Sequence, residues 1–161
     1  MKAKSCTIIG IDPMKLSFGY DEKHPKCIHL KIHIAETICK LFFQGYVHFY
    51  TNCEFGIPLW SAEAVLALKM FYPALQLHLV APCLEQANKW TPEWRERYFK
   101  IHEQATSVKI LNDKTHDSNI YLIDKTEILL SFDFKDSKNP VTEYASGQGK
   151  NVVNLLPFCL C

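Results

Sequence analysis

Short apolar runs alternate with stretches of helical periodicity along the whole chain. Apolar runs bounded by turn residues predict six strands, at 6–10, 46–51, 75–81, 107–111, 127–134 and 152–156. Between them, apolar residues spaced three or four apart predict helices at 25–45, 58–71, 91–105, 118–125 and 140–147. This alternation is typical of a parallel sheet covered by helices. We therefore predict an α/β fold: one three-layer domain over 1–161 with a mostly parallel sheet of about six strands.

The segment 25–45 carries two competing patterns. Ile28, Leu30, Ile32 and Ile34 alternate as in a strand, whereas Leu30, Ile34 and Ile38 lie on one face of a helix. We favour the helix because the three-or-four spacing continues over four turns, with Pro25 suited to a first turn.

Composition narrows the function classes. Eighteen Lys and Arg balance seventeen Asp and Glu, for a net charge of +1, so the overall field does not favour nucleic acid or an anionic membrane. Seven cysteines occur without a CxxC pair, which favours free thiols over disulfides or a cysteine zinc site. The apolar run near the start of the sequence is too short for a signal peptide or a membrane span. We expect a cytoplasmic protein without a metal or other cofactor.

Ligands of such sheets bind at the carboxyl ends of the strands, where the strand order reverses. The segments expected at this edge are 10–24, 52–57, 82–90 and 133–140.

At these segments the sequence resembles the YpsA-like branch of the SLOG superfamily, which is related to DNA-processing protein A and to the cytokinin-activating phosphoribohydrolases. The resemblance rests on CEFGIPLWSAEAVLALKMFYPALQLHLVAPCLEQANKW (53–90), IIGIDPMKLSFGYDE (8–22), NIYLIDKTEILLSFD (119–133) and VTEYASGQGKNVVNL (141–155). It covers nearly the whole chain and implies a Rossmann-like fold that binds nucleotide-derived ligands through three glycine-rich loops, often in a homodimer.

Each of the three loops departs from the family pattern. The first motif, Thr-Gly-His-Arg-Pro, is Ile-Gly-Ile-Asp-Pro at 9–13. The second, Ser-Gly-x-x-x-Gly-x-Asp, is Thr-Asn-Cys-Glu-Phe-Gly-Ile-Pro at 51–58 and has lost its acid. The third, Gly-Gly-Thr, is replaced by the glycine-free loop 135–140. The Arg-Asn-Arg-Tyr of close relatives has become Ser-Asn-Ile-Tyr at 118–121.

These changes disfavour a phosphate in the family's pose. Side chains replace glycines that would let backbone N–H groups approach the phosphate, and Asp12 replaces an arginine. The lost hydrogen bond and the added like charge should weaken binding about 10²–10⁴-fold. We therefore predict a non-catalytic binder of a small nucleotide-derived ligand. The alternatives are a nucleotide N-glycosidase or phosphoribohydrolase and a self-associating interaction module.

The resemblance and the predicted edge indicate six candidate ligand-binding residues: Gly10, Asp12, Gly56, Trp60, Glu63 and Pro82. Glu63 lies one turn into a helix that starts at the predicted crevice. It either contacts a ribose hydroxyl or satisfies donors of a neighbouring loop. No catalytic residue is assigned, because the relatives' catalytic glutamate follows a glycine motif that is absent before Glu143.

Other reactive residues have plainer explanations. His29 and His33 have metal-binding spacing, but no nearby acid or cysteine completes a site, so a solvated helix face is favoured. Cys53 could be activated by a helix start, yet Glu54 opposes a thiolate and no base is visible. The pair Asp12 and Asp133 is a weak cation candidate. We also expect Cys159 and Cys161 to lie in a terminal segment without function. Trp60, Trp90 and Trp94 could line a base-stacking slot, but acidic residues interrupt the nearby basic helix, so an exposed amphipathic helix is favoured.

Overall fold

The computed structural model describes residues 2–112, 117–134 and 138–156. Strands and helices alternate strictly in these ranges. The strands are β1 (Lys4–Gly10), β2 (Tyr46–Thr51), β3 (Gln76–Ala81), β4 (Ser107–Ile110), β5 (Ile128–Phe132) and β6 (Asn151–Asn154). The helices are α1 (Pro25–Phe43), α2 (Ile57–Lys69), α3 (Pro92–Gln104), α4 (Ser118–Lys125) and α5 (Pro140–Gly147), with a 3₁₀ turn at Pro13–Lys15.

All six strands are parallel, in the order β4-β3-β2-β1-β5-β6. The chain moves outward from β1 to β4, then returns to the other side of β1 through β5 and β6. The strand order therefore reverses between β1 and β5, which is where ligands bind in open α/β sheets. The predicted α/β class, the parallel sheet and the Rossmann-like layering are confirmed.

Two apolar clusters lie on opposite faces of the sheet. The larger contains side chains from α1, α2 and α3, packed on alternate strand residues such as Phe49 and Leu79. The smaller joins Ile9 and Leu129 of the sheet to Ile123 of α4 and Ala145 of α5. The two faces are covered unequally, because α4 and α5 have eight residues each.

The competing patterns over 25–45 resolve as helix. In α1 the fully buried side chains are Cys27, Leu30, Ile34 and Ile38, whereas Ile28 and Ile32 are 46% and 53% exposed. His24 caps the helix start through Nδ1, which accepts the amide N–H of Lys26 at 3.1 Å. The strand-like alternation was misleading because its exposed members are isoleucines. Among the described residues, no helix is both long enough and apolar enough to cross a membrane.

Candidate functional site

Three adjoining cavities lie along the carboxyl ends of the strands. The central cavity, of about 200 Å³, is lined by Gly10, Ile11, Asp12, Tyr20, Glu54, Phe55, Pro58 and Trp90. It shares Gly10 and Asp12 with a cavity of about 320 Å³ toward β5, which also includes Lys15, Asp133, Lys138 and Asn139. It shares Glu54 and Trp90 with a cavity of about 400 Å³ toward α4, which also includes Asn52, Pro82, Gln86 and Asp117. We call these three cavities the carboxyl-edge groove.

Two glycines allow the loops beneath the groove to pack closely. A Cβ on Gly10 would lie 2.5 Å from the Cβ of Ile57 at the start of α2. Gly56 has φ +108° and ψ −138°, and a Cβ there would lie 2.7 Å from Cγ of Pro13. Glycine is the residue that adopts this backbone conformation without strain. Both positions are therefore explained by packing of the first loop against α2, with no ligand required.

Asp12 organises the first loop. Its Oδ1 accepts the backbone N–H of Met14 at 2.9 Å and the hydroxyl of Tyr20 at 3.1 Å. The first of these bonds caps the 3₁₀ turn at Pro13–Lys15. The exposed carboxylate therefore has a structural role, and it also places a negative charge where the central cavity meets its neighbour.

Acidic side chains outnumber basic ones in the groove. Asp12, Glu54, Asp117 and Asp133 line it, against Lys15 and Lys138. Partial loss of solvent raises the pKa of the Glu54 carboxyl, and the negative charges of Asp12 and Asp117 raise it further. A hydrogen bond with Asn52 acts in the opposite direction. Each of these acids disfavours further negative charge nearby.

Asp133 connects the end of β5 to the start of α5. Its carboxylate is buried and accepts the amide N–H of Phe134 at 2.7 Å and Nδ2 of Asn139 at 3.1 Å. Asn139 in turn caps α5, its Oδ1 accepting the N–H of Val141 at 2.9 Å. The fold brings Asp12 and Asp133 to one cavity, but across residues 2–112, 117–134 and 138–156 no group of three His, Cys, Asp or Glu side chains is arranged to hold a metal ion.

Aromatic rings form one wall of the groove. Phe55 stacks on Trp94 with ring centroids 3.7 Å apart, and Tyr20 contacts both rings edge-on at 5.1 and 5.5 Å. Trp90 lies 5.8 Å from Phe55 and lines two of the three cavities. Flat aromatic faces of this kind bind nucleobases by stacking. The expectation that these tryptophans belong to an amphipathic helix rather than to a base-stacking slot stays a prediction.

Trp60 and Glu63 take part in a charge cluster that links α2 and α3 to the loop before α1. The buried Trp60 donates Nε1–H to Oε1 of Glu22 at 2.7 Å. Both carboxylate oxygens of Glu63 accept N–H groups of Arg97, at 2.8 and 2.9 Å. Neither residue is among the described residues that line the three cavities.

Of the six predicted residues, Gly10, Asp12 and Pro82 line the groove. Gly56 lies beneath it, against Pro13. Near Pro82, the side-chain amide of Asn52 donates to Oδ1 of Asn119 at 3.2 Å. The backbone carbonyl of Asn52 accepts from Nε2 of Gln86 at 3.0 Å. The third cavity therefore has a wall of amide groups.

The remaining sequence candidates are explained structurally. Cys53 is fully buried with φ +56°, and burial followed by the charge of Glu63 raises its pKa well above the usual range, so it is a neutral thiol. Nε2 of His33 hydrogen-bonds the carbonyl of Leu155 at 2.9 Å. Half of the altered loop 135–140, namely 135–137, and the terminal residues 159–161 lie outside the described residues.

Sequence reasoning missed Tyr20, Phe55 and Asp117 as groove residues. Phe55 precedes Gly56 in the second altered loop, and Tyr20 lies within the first predicted edge segment, so position along the chain was an available signal. The sequence carried no such signal for Asp117, because its position at the groove depends on how α4 packs against β1, β2 and β3.

Comparison with known proteins places the chain in a family. The model of the YpsA (YspA SLOG) family matches residues 6–148. A UPF0398 protein of Halalkalibacterium halodurans is 28% identical over 79% of this chain and 70% of its own length. A UPF0398 protein of Bacillus cereus is 27% identical over 91% of this chain and 85% of its own length. With this match and the parallel Rossmann-like sheet, the chain belongs to the YspA SLOG family.

Proposed function

We propose that the protein is a non-catalytic binder of a small nucleoside-like ligand, held in the carboxyl-edge groove with its base against the aromatic wall. The observation that carries this proposal is the juxtaposition of Trp90 and Phe55 with Asp12 and Glu54 in one cavity. The rings offer stacking surface, and the carboxylates accept hydrogen bonds from amino and hydroxyl groups.

The same groove disfavours a phosphate at its centre. The family's phosphate loops present glycines and basic side chains, whereas this groove presents the carboxylates of Asp12 and Glu54, with Asp117 and Asp133 on either side. Lys15 and Lys138 offset part of this charge on the β5 side. A phosphate on the ligand would therefore weaken binding or be displaced toward these lysines.

The enzymatic alternative has less support from the geometry. An N-glycosidase needs a carboxylate that reaches the ribose, and Glu63 was its best candidate in the sequence. Its two oxygens are instead occupied by Arg97. We therefore expect no release of free base from nucleoside monophosphates, measured by chromatography at micromolar protein; release that is abolished in Glu63→Ala would favour the enzyme.

Calorimetric titration with adenosine and adenosine 5′-monophosphate tests the proposal. We expect adenosine to bind at least as tightly as the monophosphate, and Trp90→Ala to weaken adenosine binding about five-fold or more. Phe99→Ala is the matched control, since Phe99 is an exposed aromatic residue of α3. Tighter binding of the monophosphate, or equal loss in the two variants, would contradict the proposal.

Glu54→Gln separates charge from shape in the groove. The amide keeps the size of the side chain and removes one of the negative charges near the central cavity. We expect the affinity for the monophosphate to rise relative to adenosine, by a few-fold at low salt. Glu103→Gln on the exposed surface of α3 should leave the ratio of the two affinities unchanged.

A further inference from the structure

A separate cavity lies on the sheet face that α4 and α5 cover incompletely. It measures about 430 Å³, within the range of small-molecule sites, and opens toward the amino-terminal ends of β1 and β2. His48, Tyr50 and His78 form its floor, and Lys2, Lys125 and Lys150 stand around it. None of these residues takes part in the carboxyl-edge groove.

The floor is a hydrogen-bonded pair of imidazoles. Nδ1 of His48 lies 3.0 Å from Nε2 of His78, and Nδ1 of His78 lies 2.7 Å from Oγ of Ser107. The ring of Tyr50 stacks on His78 at 4.5 Å between centroids and 21° between planes. The orientation of the His78 ring is therefore fixed by hydrogen bonds at both nitrogens and by stacking on one face.

The tautomer of the imidazole pair decides whether His48 offers the cavity a hydrogen-bond donor. A hydrogen bond between two imidazole nitrogens needs a proton on one and a lone pair on the other. Burial, followed by the charges of His48 and Lys69, lowers the pKa of His78 to about 4, so His78 is neutral near pH 7. When His78 donates through Nε2, His48 accepts at Nδ1 and carries its own proton on Nε2 as a donor.

The charge around this floor is positive. Lys2, Lys125 and Lys150 line the cavity, and Glu127 is the one acidic residue among its described lining residues. Lys150 also donates to the carbonyl of Thr126 at 2.7 Å, which fixes it at the rim. Lysine ammonium groups act as point charges and can contact a phosphate from several directions. A planar carboxylate is more often bound by the planar guanidinium of arginine.

We propose that this cavity is an anion site that binds the phosphate of a small phosphomonoester between the lysines and the His48 imidazole. The cavity is larger than a phosphate ion alone, which leaves room for the rest of the ester beside Tyr50. The site is independent of the ligand proposed for the carboxyl-edge groove, and it lies toward the opposite ends of the strands.

Histidine NMR shifts, recorded while phosphate is titrated, test the proposal on the whole chain. We expect inorganic phosphate to move the His48 signals saturably, and glycerol 3-phosphate to do so at lower concentration. Chloride at matched ionic strength should not reproduce the shift. A shift that chloride reproduces, or one that does not saturate, would overturn the site; equal binding of the ester and the free ion would overturn its assignment to an ester.

Charge variants locate the binding without threatening the fold. Lys2 and Lys125 are exposed, so Lys2→Gln with Lys125→Gln should fold normally and weaken phosphate binding roughly three- to tenfold. The matched control is Lys40→Gln with Lys100→Gln, two exposed lysines of α1 and α3. An equal loss in the two double variants, or no loss in the first, would contradict the proposal, as would unchanged affinity in His48→Phe, which removes both ring nitrogens.

Discussion

Arg97 on α3 grips Glu22, 75 residues earlier in the chain, through two parallel N–H···O bonds. The guanidinium donates to Oε2 of Glu22 and, at 2.8 Å, to its Oε1. Two of its other N–H groups donate to the two oxygens of Glu63 on α2. One partly buried arginine on α3 therefore links α2 to the loop that precedes α1. It is the shared partner of both carboxylates.

Removing Arg97 should destabilise the fold. Arg97→Met keeps most of the side-chain volume but leaves two partly buried carboxylates without their principal partner. We expect the free energy of unfolding to fall by roughly 2–3 kcal/mol, below the cost of breaking a fully buried pair, because the side chains of Arg97 and Glu22 are still 24% and 21% exposed. Urea denaturation followed by circular dichroism measures it.

Arg95→Met is the control for that experiment. Arg95 lies two residues away on the same helix and is exposed, so the same substitution should change stability by less than about 0.5 kcal/mol. Similar losses at the two positions would show that the Arg97 ion pairs contribute little.

The same cluster predicts how stability depends on pH. Burial alone would raise the pKa of Glu22, but hydrogen bonds from Arg97 and Lys31 outweigh it and lower the pKa to about 2, from an ordinary value of 4.5. A lowered folded-state pKa stabilises the protein above pH 4.5, and the contribution is lost as the pH falls toward 2. We expect Glu22→Gln to be less stable at pH 7 by roughly 2–3 kcal/mol and to lose less stability between pH 4.5 and 2.

Urea midpoints measured across that pH range test this prediction. Glu103→Gln, at an exposed position of α3, should keep the pH dependence of the parent protein. If Glu22→Gln and the parent lost stability in parallel below pH 4.5, the assignment of this titration to Glu22 would be wrong.

The elements were predictable because local pattern determines them. Every predicted strand and helix is present, and boundaries such as those of β2, α4 and α5 agree with the structure. Proline at the first turns of α1, α3 and α5 and buried residues at helical spacing carry this information within a few residues of each element. Membership of the family followed from segments distributed along the whole chain.

The site was predictable only in part, because its contacts join residues distant in sequence. The carboxyl-edge location of Gly10, Asp12 and Pro82 followed from topology. The ion pair between Glu63 and Arg97, 34 residues later, could not be predicted in this way, since it depends on how α3 packs on α2. In the same way, His48 and His78 meet because β2 and β3 are neighbours in a particular register.

Gly56 should not tolerate a side chain. Gly56→Ala places a Cβ 2.7 Å from the ring of Pro13 and forces alanine to φ +108°. We expect a loss of about 3 kcal/mol or more in the free energy of unfolding, from backbone strain and displacement of the first loop. Gly147→Ala is the matched control, because nothing lies within 4 Å of that position and alanine favours the helix. Equal stability of the two variants would contradict this reading of the loop.

Cys53 should be protected from alkylation despite its place before a helix. Burial raises the pKa of its thiol, and the charge of Glu63 adds to the effect, so neither access nor thiolate formation favours reaction. Iodoacetamide labelling followed by peptide mapping should modify Cys39 and Cys83, which are partly exposed, before Cys53, Cys6 and Cys27, which are buried. Urea should abolish the difference, which provides the control. Rapid native labelling of Cys53 would mean that the second loop opens, and it would restore this thiol as a candidate for chemistry in the groove.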